Sequence, residues 1–131
     1  MPFWILILSL ARGGALPPRV YASSQPVLVL PQQMIDQALV FPNPFDSRGR
    51  IVTIRYTLRT HYDVHIRIFN LFGGRVEETF FPAGATGAVA GVNTATWDGA
   101  DANGHKVSKG VYLIVLEAAG ERIIKTVGVI H

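Results

Sequence analysis

The chain has 131 residues, enough for one domain with a sizeable core, and its 49% hydrophobic and 16% charged content marks a folded rather than a disordered chain. It holds no cysteine, which excludes a disulfide framework, thiolate catalysis and a cysteine-ligated zinc site. The formal net charge is +3, but Arg12 and Arg19 precede Ser23 and leave ten basic against nine acidic residues, so composition offers no case for a nucleic-acid partner.

Phe3 to Ala11, FWILILSLA, is too short to span a bilayer as a helix and has the character of a signal-peptide h-region. Small residues in Val20-Tyr21-Ala22, ahead of Ser23, suit a cleavage site. Residues 1–22 therefore read as a signal peptide or a remnant leader, the alternative being the tail of a lost neighbouring domain. Residues 23–37 mix Pro26, Pro31 and several glutamines with the apolar Val27 to Leu30, and read as a linker with one short strand. The compact domain is expected to start near Asp36 and to occupy residues 38–131.

Its first strand, Ala38 to Phe45, carries Pro42 and Pro44, which cannot donate to a ladder and so assign it to an edge. Ile51 to Leu58 alternates, with Val52, Ile54, Tyr56 and Leu58 on one face and Thr53, Arg55 and Thr57 on the other. Val64, Ile66 and Ile68 alternate with His65 and Arg67, and Phe72-Gly73-Gly74 forms a turn into Arg75-Val76. Glu77 to Phe81 is then an outer strand, and the small residues of Pro82 to Gly91 form a flexible loop. Val92 to Trp97 resumes strand character, with Trp97 as a core anchor whose indole N–H is bonded.

Asp98-Gly99 and Asn103-Gly104 favour tight turns, so Trp97 to Tyr112 is a strand-joining loop. Val111 to Leu116 is apolar on both faces, as a central strand covered on each side would be. Gly120 marks the last hairpin, and Arg122 to Ile130 closes the domain. About seven short strands predict an all-β, immunoglobulin-like antiparallel sandwich.

FPNPF at 41–45, VTIRYTL at 52–58, VHIRIFNLFGGRV at 64–76, WDGADANG at 97–104 and GVYLIVLEAAGERIIKTVGVI at 110–130 stand in the order found in FlgD-like immunoglobulin-like domains. The chain resembles that family, named for the flagellar hook-capping protein, over residues 38–131. It is also similar to the C-terminal sorting domains of type IX secretion substrates, through Pro42 to Pro44, Ile68 to Gly73 and Gly110 to Lys125. The WDG-x-D-x-x-G loop belongs more to the FlgD-like branch. Residues 1–37 carry nothing that resembles the hook-engaging part of a hook-capping protein.

Several constellations suggest chemistry, each beside a plainer reading. Asp98, Asp101 and Asn103 before Gly104 resemble part of a calcium loop, but aligning Gly104 with that loop's glycine puts Gly99 at the first ligand position and Gly110 where a bidentate Glu belongs. Turn stabilisation is the better expectation. His61, Asp63 and His65 suggest a metal cluster, although in a turn-to-strand segment they read as an exposed polar face. Arg55 and Arg67, on the polar faces of consecutive strands with Arg59 close by, are expected to be neighbours, either solvated or facing an acidic polysaccharide or protein.

Of the aromatics Phe41, Phe45, Tyr56, Phe69, Phe72, Phe80, Phe81, Trp97 and Tyr112, most are expected in the core, with Phe69, Phe80 and Phe81 the ones whose exposure would mark an interface. The chain has no G-x-S-x-G elbow, phosphate loop or HExxH pair, and no catalytic, cofactor-binding or metal-ligating residue is assigned.

The resulting expectation is a non-enzymatic, exported module acting through protein contacts at the bacterial cell envelope. It would anchor, sort or assemble, with no cofactor, no nucleic acid and no membrane span after leader removal. A flagellar hook assembly factor and a carbohydrate-binding module are the alternatives. The edge made by ALVFPNPF and the last strand, left free to pair, are the expected contact elements.

Overall fold

Alternation of apolar and polar residues builds most of these strands, because successive side chains of an extended chain point to opposite faces. The computed structural model describes residues 33–131, and the leader reading and most of the linker reading lie outside them. The strands are β1 (Ile35–Phe41), β2 (Val52–Leu58), β3 (Val64–Asn70), β4 (Arg75–Phe81), β5 (Gly91–Trp97), β6 (Gly110–Ala118) and β7 (Glu121–Val129). They form a three-stranded sheet in the order β1-β2-β5 and a four-stranded sheet in the order β4-β3-β6-β7, every neighbour pair antiparallel. This is the expected immunoglobulin-like sandwich. No helix among the described residues is long and apolar enough to cross a membrane.

The core forms where the two sheets face each other. β2 buries Val52, Ile54, Tyr56 and Leu58, the four residues its alternation selects, and they pack with Val64, Ile66 and Ile68 of β3 and Ile114 and Leu116 of β6. Each such side chain contributes roughly 1.5–3 kcal/mol relative to exposure. Tyr56 carries a hydroxyl into this core, and it donates to the Gly87 carbonyl at 2.6 Å. Burial pushes that phenol up to about 12.

The first strand begins inside the stretch read as linker. Ile35 and Ala38 both point inward although they are three residues apart, because a β-bulge at Gln37, whose φ is 55°, shifts the register between Asp36 and Leu39. That broken alternation hides the strand's start from periodicity. β1 is an edge strand, as expected, but it ends at Phe41, before the two prolines, and the Phe41-Pro42 and Asn43-Pro44 bonds are both cis.

Beyond β1 the chain crosses to the other sheet. The Phe45 N–H donates to the Gly128 carbonyl at 2.9 Å and the Ile130 N–H to the Phe45 carbonyl at 3.0 Å, so Phe45 lies parallel to the end of β7. Asn43 adds a donor to the Thr126 carbonyl and an acceptor for the Gly128 N–H. Gly128 is suited to this contact, since a Cβ there would stand 3.1 Å from the Cβ of Pro44. The expectation that the last strand stays free to pair is thereby corrected: its second half is already strapped.

Two further expectations change. β6 is central within its sheet, yet only one of its faces is deeply covered; on the outer face Val115 is buried, Leu113 half-buried and Val111 exposed. The Pro82 to Gly91 loop is packed rather than loose. Ala88 is fully buried, Phe81 lies against Gly87, and hydrogen bonds from Gly84 to Ala88 and from Ala88 to Ala85 fold the loop on itself. The last hairpin turns on Ala119 and Gly120, both at positive φ, as a two-residue turn of type I′ requires.

Candidate interaction surface

The loop after β5 is built around Trp97. Its ring meets Phe45 at 5.8 Å and Tyr112 at 5.7 Å, both edge-on, and its Nε1 donates to the Ala100 carbonyl at 2.8 Å. Gly99, at φ 81°, brings the backbone against Ser47, where a Cβ would stand 2.6 Å from the serine Cβ. The carboxylates of this loop serve its backbone. Asp98 accepts the Ala100 N–H at 3.0 Å, and Asp101 accepts the N–H groups of Asn103 and His105, both at 2.9 Å.

Those backbone donors, His105 foremost, hold the Asp101 carboxyl below its ordinary value. Lys106 Nζ donates to the Asp98 carbonyl at 2.7 Å, so the loop also supplies its own cation. The suggested ligands Asp98 and Asp101 are thus turned to the chain itself, as turn stabilisation predicts, and Asn103 takes part through its backbone N–H.

His61, Asp63 and His65 are not drawn together. His61 Nδ1 accepts the Ala90 N–H and Asp63 accepts the Ala83 N–H, both at 2.8 Å, so the two pin opposite ends of the 82–90 loop. His65 lies on the outer face of the larger sheet, with its ring 4.6 Å from Phe80 and its Nδ1 3.6 Å from Glu78. No group of three or more His, Asp or Glu residues is placed to hold a metal ion among the described residues.

The expected Arg55–Arg67 neighbourhood is overturned by topology. β2 and β3 follow each other in sequence but belong to different sheets, so the two guanidinium groups occupy opposite outer faces. On the larger sheet Arg67 bridges Glu78 of β4 and Glu117 of β6, and Glu117 also receives Arg122 of β7. The Arg67 hydrogen bond holds the Glu117 carboxyl below its ordinary value. On the smaller sheet Arg55 lies 5.4 Å over the ring of Phe41, beside the exposed Leu39 and Val92.

Exposed aromatic rings do not line up on one face. Phe41 belongs to the smaller sheet, Phe80 to the larger, Tyr62 to the β2–β3 connection and Phe72 to the β3–β4 hairpin. Of Phe69, Phe80 and Phe81, only Phe80 is well exposed; Phe69 and Phe81 are half-buried. Phe72, read as part of a turn, is 97% exposed, and Leu71 beside it 62%. The turn holding them is rigid: Asn70 Oδ1 accepts the N–H groups of Phe72 and Gly74, and the Asn70 and Gly74 backbones pair. Two apolar residues between an Asn and a Gly-Gly pair were the available signal, since neither can turn back into a sheet at a hairpin tip.

The chain matches the profile of the family described as FlgD Ig-like domain over residues 44–121. Among solved structures it is similar to PorZ, described as an essential surface component of the type-IX secretion system of Porphyromonas gingivalis, with 20% identity, 72% of this chain and 11% of that chain covered, and a TM-score of 0.51. Dimeric latent PorU from the same organism aligns with 21% identity over 70% of this chain and 9% of that one, at a TM-score of 0.54. FLGD from P. aeruginosa gives 18% identity, covers 70% and 72%, and scores 0.51. The chain thus spans about a tenth of the length of PorZ and PorU. No curated protein matches it.

Proposed function

Because this chain belongs to the FlgD Ig-like domain family, we propose that it is a non-enzymatic, exported module that works through protein contacts, as an anchoring, sorting or assembly domain at the bacterial cell envelope. The observation that carries this reading is the β3–β4 hairpin. Phe72, 97% exposed on a turn locked by Asn70, makes no packing contribution to its own domain. A large aromatic presented on a hydrogen-bonded turn is suited to fill a pocket on another protein, where such anchors supply most of the binding energy. The shared fold of a type-IX secretion surface component supports the envelope setting.

Residues 33–131 placed behind an inert reporter in a type IX secreting host test the sorting version. Delivery to the cell surface is expected, and retention in the periplasm would count against it. Replacing Leu71 and Phe72 together by serine should leave the fold intact and strand the reporter. A flagellar assembly role is the second reading, favoured by the match to FLGD over 72% of that chain. It predicts that deleting the gene stops hook completion and leaves surface delivery of other cargo unchanged.

A further inference from the structure

Three of the four sheet edges are guarded by the chain itself. β1 is interrupted by its bulge and followed by Pro42, and its start is tied to β7 by Glu121, whose Oε1 accepts the N–H groups of Met34 and Ile35. β7 is strapped by Asn43 and Phe45. On β4 the Val76 carbonyl accepts the Ala102 N–H at 3.0 Å, and the Glu78 N–H is taken by the neighbouring Glu77 carboxylate at 3.0 Å. These are the usual ways of blunting an edge.

β5 has none of them. It pairs with β2 in unbroken register from Gly91 to Trp97 and contains no charged residue and no proline. The Arg59 N–H donates to the Met34 carbonyl, which fixes the alternation along β2: its odd-numbered residues bond β1 and its even-numbered residues bond β5. Gly91, Asn93, Ala95 and Trp97 therefore turn their main chain towards β2. The N–H and C=O groups of Val92, Thr94 and Thr96 face away, with no partner among the described residues.

The space beside that edge has a shape. β1 runs against β7 on one side of the sandwich, but β4 and β5 do not close on the other. A cleft of about 300 Å³ lies between them, with Ala95 and Trp97 on one wall, Thr79 and Phe81 on the other and Ile66 and Ile68 at its floor. The larger sheet is one strand wider, and β4 overhangs here.

We infer that β5 is a docking edge for an extended segment of a partner polypeptide, which pairs as a fourth strand of the smaller sheet and seats alternate apolar side chains over the inner face of β4. The added main-chain bonds give affinity and the cleft gives selectivity. A second folded copy does not suit the site, because symmetric pairing would drive its own overhanging β4 into the first. Glu77 and Asp98 line the end of the cleft beside Trp97, so the matching segment carries a basic side chain there and compact apolar ones along the rest. This inference rests on the protein-contact reading and gives it a location.

The probe is a soluble fluorescent peptide alternating valine and threonine with lysine at each end, titrated into the full chain. Binding should slow exchange of the Val92, Thr94 and Thr96 amides. Thr94→Pro removes one outward N–H without touching the β2 ladder and should weaken binding about tenfold, as should N-methylating the peptide along its pairing side. Thr94→Lys serves as a second variant should the proline disturb folding.

Equal binding by the variants or by the N-methylated peptide would overturn the inference. So would no binding at about 1 mM probe, protection of those three amides in the free monomer, or dimerisation through β5. The reporter assay separates the two levels. Surface delivery together with a negative probe result removes the docking edge and leaves the wider reading standing, whereas periplasmic retention with probe binding intact does the reverse.

Discussion

Along one side of the sandwich β1 and β7 are stitched together by side chains remote in sequence, whereas along the other β4 and β5 leave a cleft between them. The stitched side uses Glu121 on the Met34 and Ile35 amides, Asn43 on Gly128 and Thr126, and Phe45 as a short parallel strand. The open side has a seven-residue edge with no such device. Sheets of unequal width cannot both be covered at both margins, and the chain's own strap is committed to one of them. The other margin is left to a partner or to solvent, which is a physical reason for a contact module to have a preferred side.

Trp97 joins the two sides, since the strap residue Phe45 packs edge-on against it while its ring also lines the cleft. Trp97→Ala is expected to have the largest effect, a loss of about 3–5 kcal/mol in denaturant unfolding. It should also speed exchange at the Gly128 amide. A loss under about 1 kcal/mol would show that strap and cleft are independent.

Asn43→Ala opens the stitched side alone. It leaves the Gly128 N–H and the Thr126 carbonyl without their side-chain partners, at an expected cost of about 1–3 kcal/mol. The second half of β7 then becomes a free edge, and sedimentation should show concentration-dependent association. A destabilised variant that stays monomeric at every concentration would mean that Phe45 alone guards the edge.

What could be read from the sequence divides along the same line. The alternation in β2 and β3 was legible because one face of each strand is buried and the other is not, so Val52 to Leu58 and Val64 to Ile68 declare their inward residues. The strap was not legible: Asn43 and Gly128 are 85 residues apart, and nothing local to either shows that they meet. β1 was misplaced because its bulge spaces Ile35 and Ala38 like a helix turn rather than a strand. Arg55 and Arg67 looked adjacent because consecutive strands often pair, but here the chain crosses between sheets after β2. The Trp97 loop was legible in its turns and its anchor, since Asp and Asn before Gly act within a few residues.

Thr94→Pro bears on the open side and should change stability by no more than about 0.5 kcal/mol, because its N–H has no partner to lose. Ala95→Pro, one residue along, is the control, as it removes a bond to β2 and should be clearly destabilising. Similar losses in both would show that the outward groups of β5 are already engaged and that the two sides do not differ as the geometry indicates.

The smallest effect concerns a device on the open side whose carboxyl is displaced from its ordinary value. The loop held by Asp101 sends the Ala102 N–H to the Val76 carbonyl, and so covers the end of β4. The folded carboxyl lies below its ordinary value of 3.8, its hydrogen bond from the His105 backbone being the largest cause. Its contribution is therefore complete above 3.8 and is lost as the pH falls through the lower folded value. Asp101 is only half-buried and lies in a loop, so the change belongs to the loop rather than to global stability. The Ala102 amide should lose protection as the pH falls through that window, while the global unfolding midpoint moves little. In Asp101→Asn the group no longer titrates, and this acid response of Ala102 should disappear. Persistence of the response in that variant would assign it to another group and leave the cover over β4 insensitive to Asp101.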